Sequence, residues 1–134
     1  MTPRGPLFRD RRDAGRQLAA ALQAYRGERP LVLALPRGGV PVAYEVATAL
    51  GAPLGVLVVR KIGAPMQPEF GVGAVAPGVT VRYDEAIDAI GLSDAAFERA
   101  AHRARREMQE RHVRYNGDDA LPNLRGRTAL LVDD

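Results

Sequence analysis

Apolar residues recur along this chain in two periods, and the switching between them lays out alternating helices and strands. Over 10–25, Ala14, Leu18, Ala21, Leu22 and Tyr25 share one face at a 3.6-residue period, which predicts an amphipathic helix ended by Gly27. Leu31-Val32-Leu33-Ala34-Leu35 has no polar alternation and reads as a buried parallel strand. After Pro36-Arg37-Gly38-Gly39, a helix is expected over 41–50, with Pro41 in its first turn and Gly51 at its stop. Residues 54–59 read as a second buried strand, ending in Arg60-Lys61. Strand, glycine loop, helix, strand is a βαβ unit, right-handed, with its strands parallel.

The middle of the chain has a different texture. Residues 62–69 contain Gly63, Pro65 and Pro68 and read as loop. Strand-like runs at 70–76 and 79–83 flank Pro77-Gly78, a hairpin break, and 62–83 is expected to be a small flap outside the main sheet. A short helix over 84–90 precedes Ser93, which can cap a long helix reaching 115 and stopping at Asn116-Gly117. Its apolar stripe is Phe97, Ala101, Ala104, Met108, His112 and Tyr115. Residues 128–132 read as a third buried strand, followed by Asp133-Asp134. A functional loop and a helix normally come after such a strand. The chain is therefore expected to be the N-terminal portion of a longer protein, one domain lacking its C-terminal strands and helices.

Composition narrows the possibilities. The 134 residues are 46% apolar, which suits a folded domain and excludes wholesale disorder. The absence of cysteine excludes a disulfide scaffold and a zinc–thiolate centre. No apolar run is long enough to span a bilayer, and the arginine-rich start has no secretory core, so a cytoplasmic address is expected. The net charge of +3 argues only weakly for nucleic acid. All the basic residues but one are arginine, the exception being Lys61.

Three places carry candidate chemistry. The glycines of Pro36-Arg37-Gly38-Gly39 let backbone N–H groups approach an anion at the start of a helix, beside the fixed cation of Arg37. A turn that merely requires glycine would read the same way. Arg60 and Lys61 fall at the expected C-terminal edge of the second strand, where open α/β sheets bind ligands, so Arg37, Arg60 and Lys61 are expected around one anion pocket. Two solvated charges capping a strand are the plainer alternative. Asp133 and Asp134 suit sugar hydroxyls or a hard cation such as Mg2+, or form a simple charged terminus.

Two further features are set aside. Gly71-Val72-Gly73-Ala74-Val75-Ala76 fits G-x-G-x-x-A, but Pro77-Gly78 and another strand follow where a dinucleotide fingerprint needs a helix. On the long helix, Arg103, Arg105, Arg106, Arg111 and Arg114 alternate with Glu98, Glu107 and Glu110. That pattern suits a solvated face with Glu107–Arg111 and Glu110–Arg114 pairs rather than a nucleic-acid surface. His102 and His112 lack a carboxylate pattern for metal and read as packing residues.

Taken together and in this order, the chain resembles the type I phosphoribosyltransferases, above all their bacterial stand-alone members. The likeness runs from Phe8-Arg9-Asp10-Arg11 with Ala14-Gly15, through Leu35-Pro36-Arg37-Gly38-Gly39-Val40-Pro41 and Val59-Arg60-Lys61-Ile62-Gly63-Ala64-Pro65, to Pro68-Glu69-Phe70, Gly73-Ala74-Val75 and Leu131-Val132-Asp133-Asp134. The resemblance implies a three-layer αβα Rossmann-like parallel sheet, C-terminally incomplete, with a strand-rich flap or hood. It implies transfer of phosphoribosyl from phosphoribosyl pyrophosphate (PRPP), with Mg2+, to a nitrogenous acceptor such as a base. Arg37, Gly38 and Gly39 then match the first pyrophosphate loop, where a cis peptide at Pro36-Arg37 or Arg37-Gly38 is expected. Arg60 and Lys61 match the second pyrophosphate loop and carry the catalytic role, and Asp133 and Asp134 match the pair that holds the ribose hydroxyls. No residue is assigned as a metal ligand, and no general base is identified.

The 5′-phosphate loop that follows the acidic pair in this family is not in the sequence, so the chain by itself is expected to be inactive. PRPP and a small acceptor are the expected partners, with no nucleic acid or membrane and with homo-oligomerisation open. Two alternatives stand beside this reading: a non-catalytic sensor of PRPP or a nucleotide, and a basic interaction module using the helix over 93–115.

Overall fold

The computed structural model describes residues 7–118 and 120–134. In chain order the elements are α1 (Arg11–Ala21), a 3-10 helix (Gln23–Glu28), β1 (Leu31–Ala34), α2 (Gly39–Leu50), β2 (Leu54–Val56), β3 (Arg60–Gly63), β4 (Gly71–Ala76), β5 (Val79–Arg82), α3 (Asp84–Ile90), α4 (Asp94–Asn116) and β6 (Ala129–Val132). They form two compact units. One contains the described residues up to Val56 together with Leu121–Asp134, and the other the described residues of Leu57–Ala120.

The first unit is built on a parallel sheet of order β2-β1-β6. All four residues of β1 are buried, as an unbroken apolar run requires of a central parallel strand. Val32 and Ala34 pack with Val42, Ala43, Val46 and Leu50 of α2, and α1 adds Ala19. Each Val or Leu fully buried here contributes roughly 1.5–3 kcal/mol. The α2 helix begins at Gly39, two residues before the expected start. Gly51, with φ 60°, ends it in the left-handed backbone expected of a C-terminal glycine.

The first helix is shorter than its periodicity suggests. Asp10 caps it by accepting from the Asp13 N–H at 2.7 Å. At Leu22 the N–H is shared between the carbonyls of Leu18 and Ala19, and the chain tightens into the 3-10 turn. Ala21 and Tyr25 are exposed, so no buried face sustains the helix further. The segment ends at Arg29, which takes a left-handed φ of 51°, rather than at Gly27.

The expected strand over 54–59 divides. Only Leu54–Val56 pairs with β1, and Arg60 and Lys61 open β3 instead of capping β2. An apolar run gives no sign of where a chain leaves one sheet for another. The expected buried strand at 128–132 is likewise only partly buried. Val132 is covered, but Leu131 is 61% exposed.

The second unit is an antiparallel sheet of order β3-β4-β5 with α4 packed on β3 and β4. It takes in the 62–83 segment together with both following helices. The hairpin at Pro77-Gly78 forms as expected, with Gly78 at φ 75°. Ser93 Oγ accepts from the Ala96 N–H at 3.1 Å, capping α4. Phe97, Ala101, Ala104, Met108 and His112 are buried, whereas Tyr115 is exposed and falls outside the stripe. His112 is thus a packed core residue, its Nδ1 3.2 Å from Asn116 Nδ2. No helix among the described residues is long and apolar enough to cross a membrane.

Candidate functional site

In the first unit the glycine loop and the acidic pair are neighbours. The Leu35 N–H donates to the Val132 carbonyl at 2.9 Å, so β6 runs alongside the chain as it enters the 36–39 loop. The Pro36–Arg37 peptide is cis, one of the two positions expected. The Arg37 side chain is exposed. A Cβ on Gly39 would lie 2.7 Å from the Val132 carbonyl oxygen and 3.1 Å from Asp133 Cα, and one on Gly38 would collide with the Asp134 carboxylate. Gly39 is therefore required by close packing against the backbone of the acidic tip, whereas at Gly38 the Asp134 carboxylate would have to turn aside. That reason is separate from any ligand, and the sequence alone does not reveal it.

Asp134 is tied to the start of α1. Arg11 donates to Asp134 Oδ2 from Nε at 3.2 Å and from Nη2 at 2.8 Å, and the Asp134 N–H donates to Asp133 Oδ1 at 2.9 Å. The hydrogen bond from Arg11 holds the Asp134 carboxyl below its usual range. Arg11 thus has a structural role, buttressing the acidic tip, that periodicity does not signal. Gly15 is similar: a Cβ there would lie 2.7 Å from both Glu45 Cβ and the Val42 carbonyl, so it permits the close crossing of α1 and α2.

Arg60 and Lys61 belong to the second unit and lie side by side on β3. Arg60 donates to Glu107 Oε2 from both Nε and Nη2 at 2.9 Å, and Lys61 Nζ donates to the Glu69 carbonyl at 3.2 Å. Glu107 therefore pairs across to β3, and not with Arg111 along its own helix. Arg105 reaches Glu98 at 3.4 Å and Thr80 Oγ1 at 3.2 Å. Both Arg60 and Lys61 border a groove of about 660 Å³ between β3, the 63–69 loop and α4. The expected loop after β3 is anchored by three backbone bonds, Ala64 N–H to Phe70 O and Phe70 N–H to Gln67 O, each at 2.9 Å, and Gln67 N–H to Ala64 O at 3.2 Å.

The glycine-rich run Gly71–Ala76 is β4, followed by β5, so the dinucleotide fingerprint fails as its context indicated. Among the described residues, no group of three or more His, Asp or Glu side chains is placed to hold a metal ion.

A parallel βαβ unit with a glycine loop at the strand end and an acidic pair beside it is the arrangement the resemblance implied. The family profile described as "Phosphoribosyl transferase domain" matches residues 9–134. The chain belongs to the phosphoribosyl transferase domain family. Two Mycobacterium tuberculosis proteins, from strains CDC 1551 / Oshkosh and H37Rv, each bear the name "Putative phosphoribosyl transferase". Each is 50% identical over 130 residues, which is 96% of this chain. The chain spans 29% of the length of those relatives. The crystal structure of TT1426 from Thermus thermophilus is 46% identical with a TM-score of 0.72, over 95% of this chain and 61% of that one.

Proposed function

We propose that the chain supplies the pyrophosphate-binding loops and the acidic pair of a cytoplasmic phosphoribosyltransferase that transfers phosphoribosyl from PRPP, with Mg2+, to a nitrogenous acceptor such as a base. The observation that carries this reading is the contact of Gly38 and Gly39 with the Asp133-Asp134 tip. Residues far apart in the chain, which the resemblance assigns to adjoining groups of one donor, its pyrophosphate and its ribose hydroxyls, meet within one unit.

The nitrogen nucleophile bonds to the anomeric carbon as the carbon–oxygen bond to pyrophosphate breaks. The bonding pair leaves with pyrophosphate, and the nitrogen gives up its proton to water. Negative charge gathers on the leaving group, where Arg37 and the amide of Gly38 stabilise it, the Gly39 N–H being donated to the Leu35 carbonyl at 3.1 Å. The resemblance assigns Arg60 and Lys61 to the same leaving group. Asp133 and Asp134 accept from the ribose hydroxyls and orient the ring. Mg2+ generally keeps one or two protein carboxylates and completes its shell with water and substrate phosphates. A donor set limited to Asp133 and Asp134, with Asp134 engaged by Arg11, fits an ion that arrives with the diphosphate. When bound, that ion neutralises charge on the phosphates.

Calorimetric titration with PRPP and Mg2+ tests the reading. Saturable binding is expected, weakened about tenfold or more in each of R37Q, K61Q and D133N, because a charge-assisted hydrogen bond is worth about 1.5–3 kcal/mol. Absence of PRPP binding, or binding indifferent to all three substitutions, overturns it.

A further inference from the structure

The groove beside Arg60 and Lys61 has a second pair of cations that the transfer chemistry does not use. Arg99 and Arg103, one turn apart on α4, line it with Ala96, Ala100 and Ala104, whose small side chains leave it open. Four cations face two carboxylates, Glu69 and Glu107, around this groove. Glu107 is already taken by Arg60, whereas Arg99 and Arg103 make no ion pair or hydrogen bond among the described residues. Guanidinium groups are pre-organised forks for carboxylate or phosphate oxygens. In the same unit Arg60, Arg82 and Arg105 have acidic partners, whereas Arg106, Arg111 and Arg114, also without one among the described residues, do not line this groove.

The groove also has an apolar extension. A further cavity of about 420 Å³ shares Ala64, Pro65 and Ala96 with it and continues between Met66, Ile90 and Leu92. Met66 is 93% exposed and Ile90 43%, surface that is costly to leave in water next to an open cavity. The two together make an elongated site, cationic at one end and apolar at the other.

We propose that this composite groove is a binding site for a small acid with an apolar body, separate from the transfer chemistry. Arg99 and Arg103 hold its carboxylate or phosphate, and Ala64, Pro65, Met66 and Leu92 cover its apolar part. Arg99 and Arg103 set specificity by leaving a neutral analogue with two unmatched cations.

The test uses naphthalene-2-carboxylate and naphthyl phosphate as probes, with naphthalene-2-carboxamide as the neutral analogue, and amide NMR and calorimetry as readouts. At least one acid is expected to bind saturably and to shift signals in 64–67 and 96–104, and the carboxamide at least tenfold more weakly. The comparison of the two acids distinguishes carboxylate from phosphate recognition. R99Q/R103Q is expected to lose at least tenfold affinity for the acid, while R106Q, on the same helix, retains it. Pyrophosphate binding and its response to R37Q report separately on the transferase reading. If pyrophosphate fails and the acid still binds, the acid site stands. No binding of either acid, equal binding of the carboxamide, or full affinity in a folded R99Q/R103Q variant overturns the proposal.

Discussion

Arg11 at the start of α1 donates twice to the same oxygen of Asp134, from Nε at 3.2 Å and Nη2 at 2.8 Å, joining the first helix to the end of β6. Arg11 and Asp134 are both substantially exposed, at 59% and 39% of their side-chain surface, so the pair acts mainly by orienting the carboxylate and only weakly on stability. R11Q is expected to raise the Asp134 carboxyl toward its usual value of 3.8. The folded value is the depressed one, so the tie contributes above that usual value and is lost as pH falls through the lower folded value. A carboxyl-carbon NMR titration of wild type and R11Q checks this; an unchanged Asp134 titration would count against the pairing.

The two loop glycines should respond differently to alanine. G39A drives a methyl against backbone, the Val132 carbonyl and Asp133 Cα, which cannot swing away. It is expected to cost roughly 1–3 kcal/mol, typical of overpacking, in urea unfolding. G38A meets only the Asp134 carboxylate, which can rotate. Its stability should stay closer to wild type, while the Asp134 titration moves as in R11Q.

G15A sets helix propensity against packing. Alanine in a helix interior gains up to about 1 kcal/mol over glycine. Here the new methyl meets Glu45 Cβ and the Val42 carbonyl at 2.7 Å, neither of them the free end of a flexible side chain. Overpacking of roughly 1–3 kcal/mol outweighs the gain, so G15A should lower the urea midpoint. A higher midpoint would mean that α1 and α2 part readily.

Glu107 holds both donors of Arg60 on one oxygen, and a diphosphate must compete for them. If Arg60 serves the transferase reading, E107Q is expected to tighten pyrophosphate binding several-fold, while R60Q weakens it by about tenfold or more. Calorimetry on both variants decides. Weaker binding in E107Q would instead make Glu107 a positioning residue for Arg60.

Much of this architecture could be read from the letters where a local signal coincides with a local cause. Ser93 caps α4, Gly91 and Gly117 end helices at positive φ, and Pro77-Gly78 turns a hairpin, all features set by a few adjacent residues. What escaped the sequence depends on distant partners. Nothing near Val59 announces that 57–59 leaves one sheet for another, nothing in α1 announces that Ala21 and Tyr25 face solvent, and the i,i+4 spacing of Glu107 and Arg111 does not reveal Arg60 across the groove. The loop glycines were legible as a close-approach turn, but their contact with Asp133 and Asp134 appears only in three dimensions.

The register of β1 with β6 pairs Leu31 with Ala129 and Ala34 with Val132, so the whole of the second unit is threaded between two hydrogen-bonded neighbours. During synthesis one edge of β1 must wait, unpaired, until that intervening polypeptide has emerged. Such remote pairing raises contact order and slows folding. Premature capture of that waiting edge by another nascent chain is the failure this connectivity invites, and independent folding of the inserted unit would be the simplest protection against it.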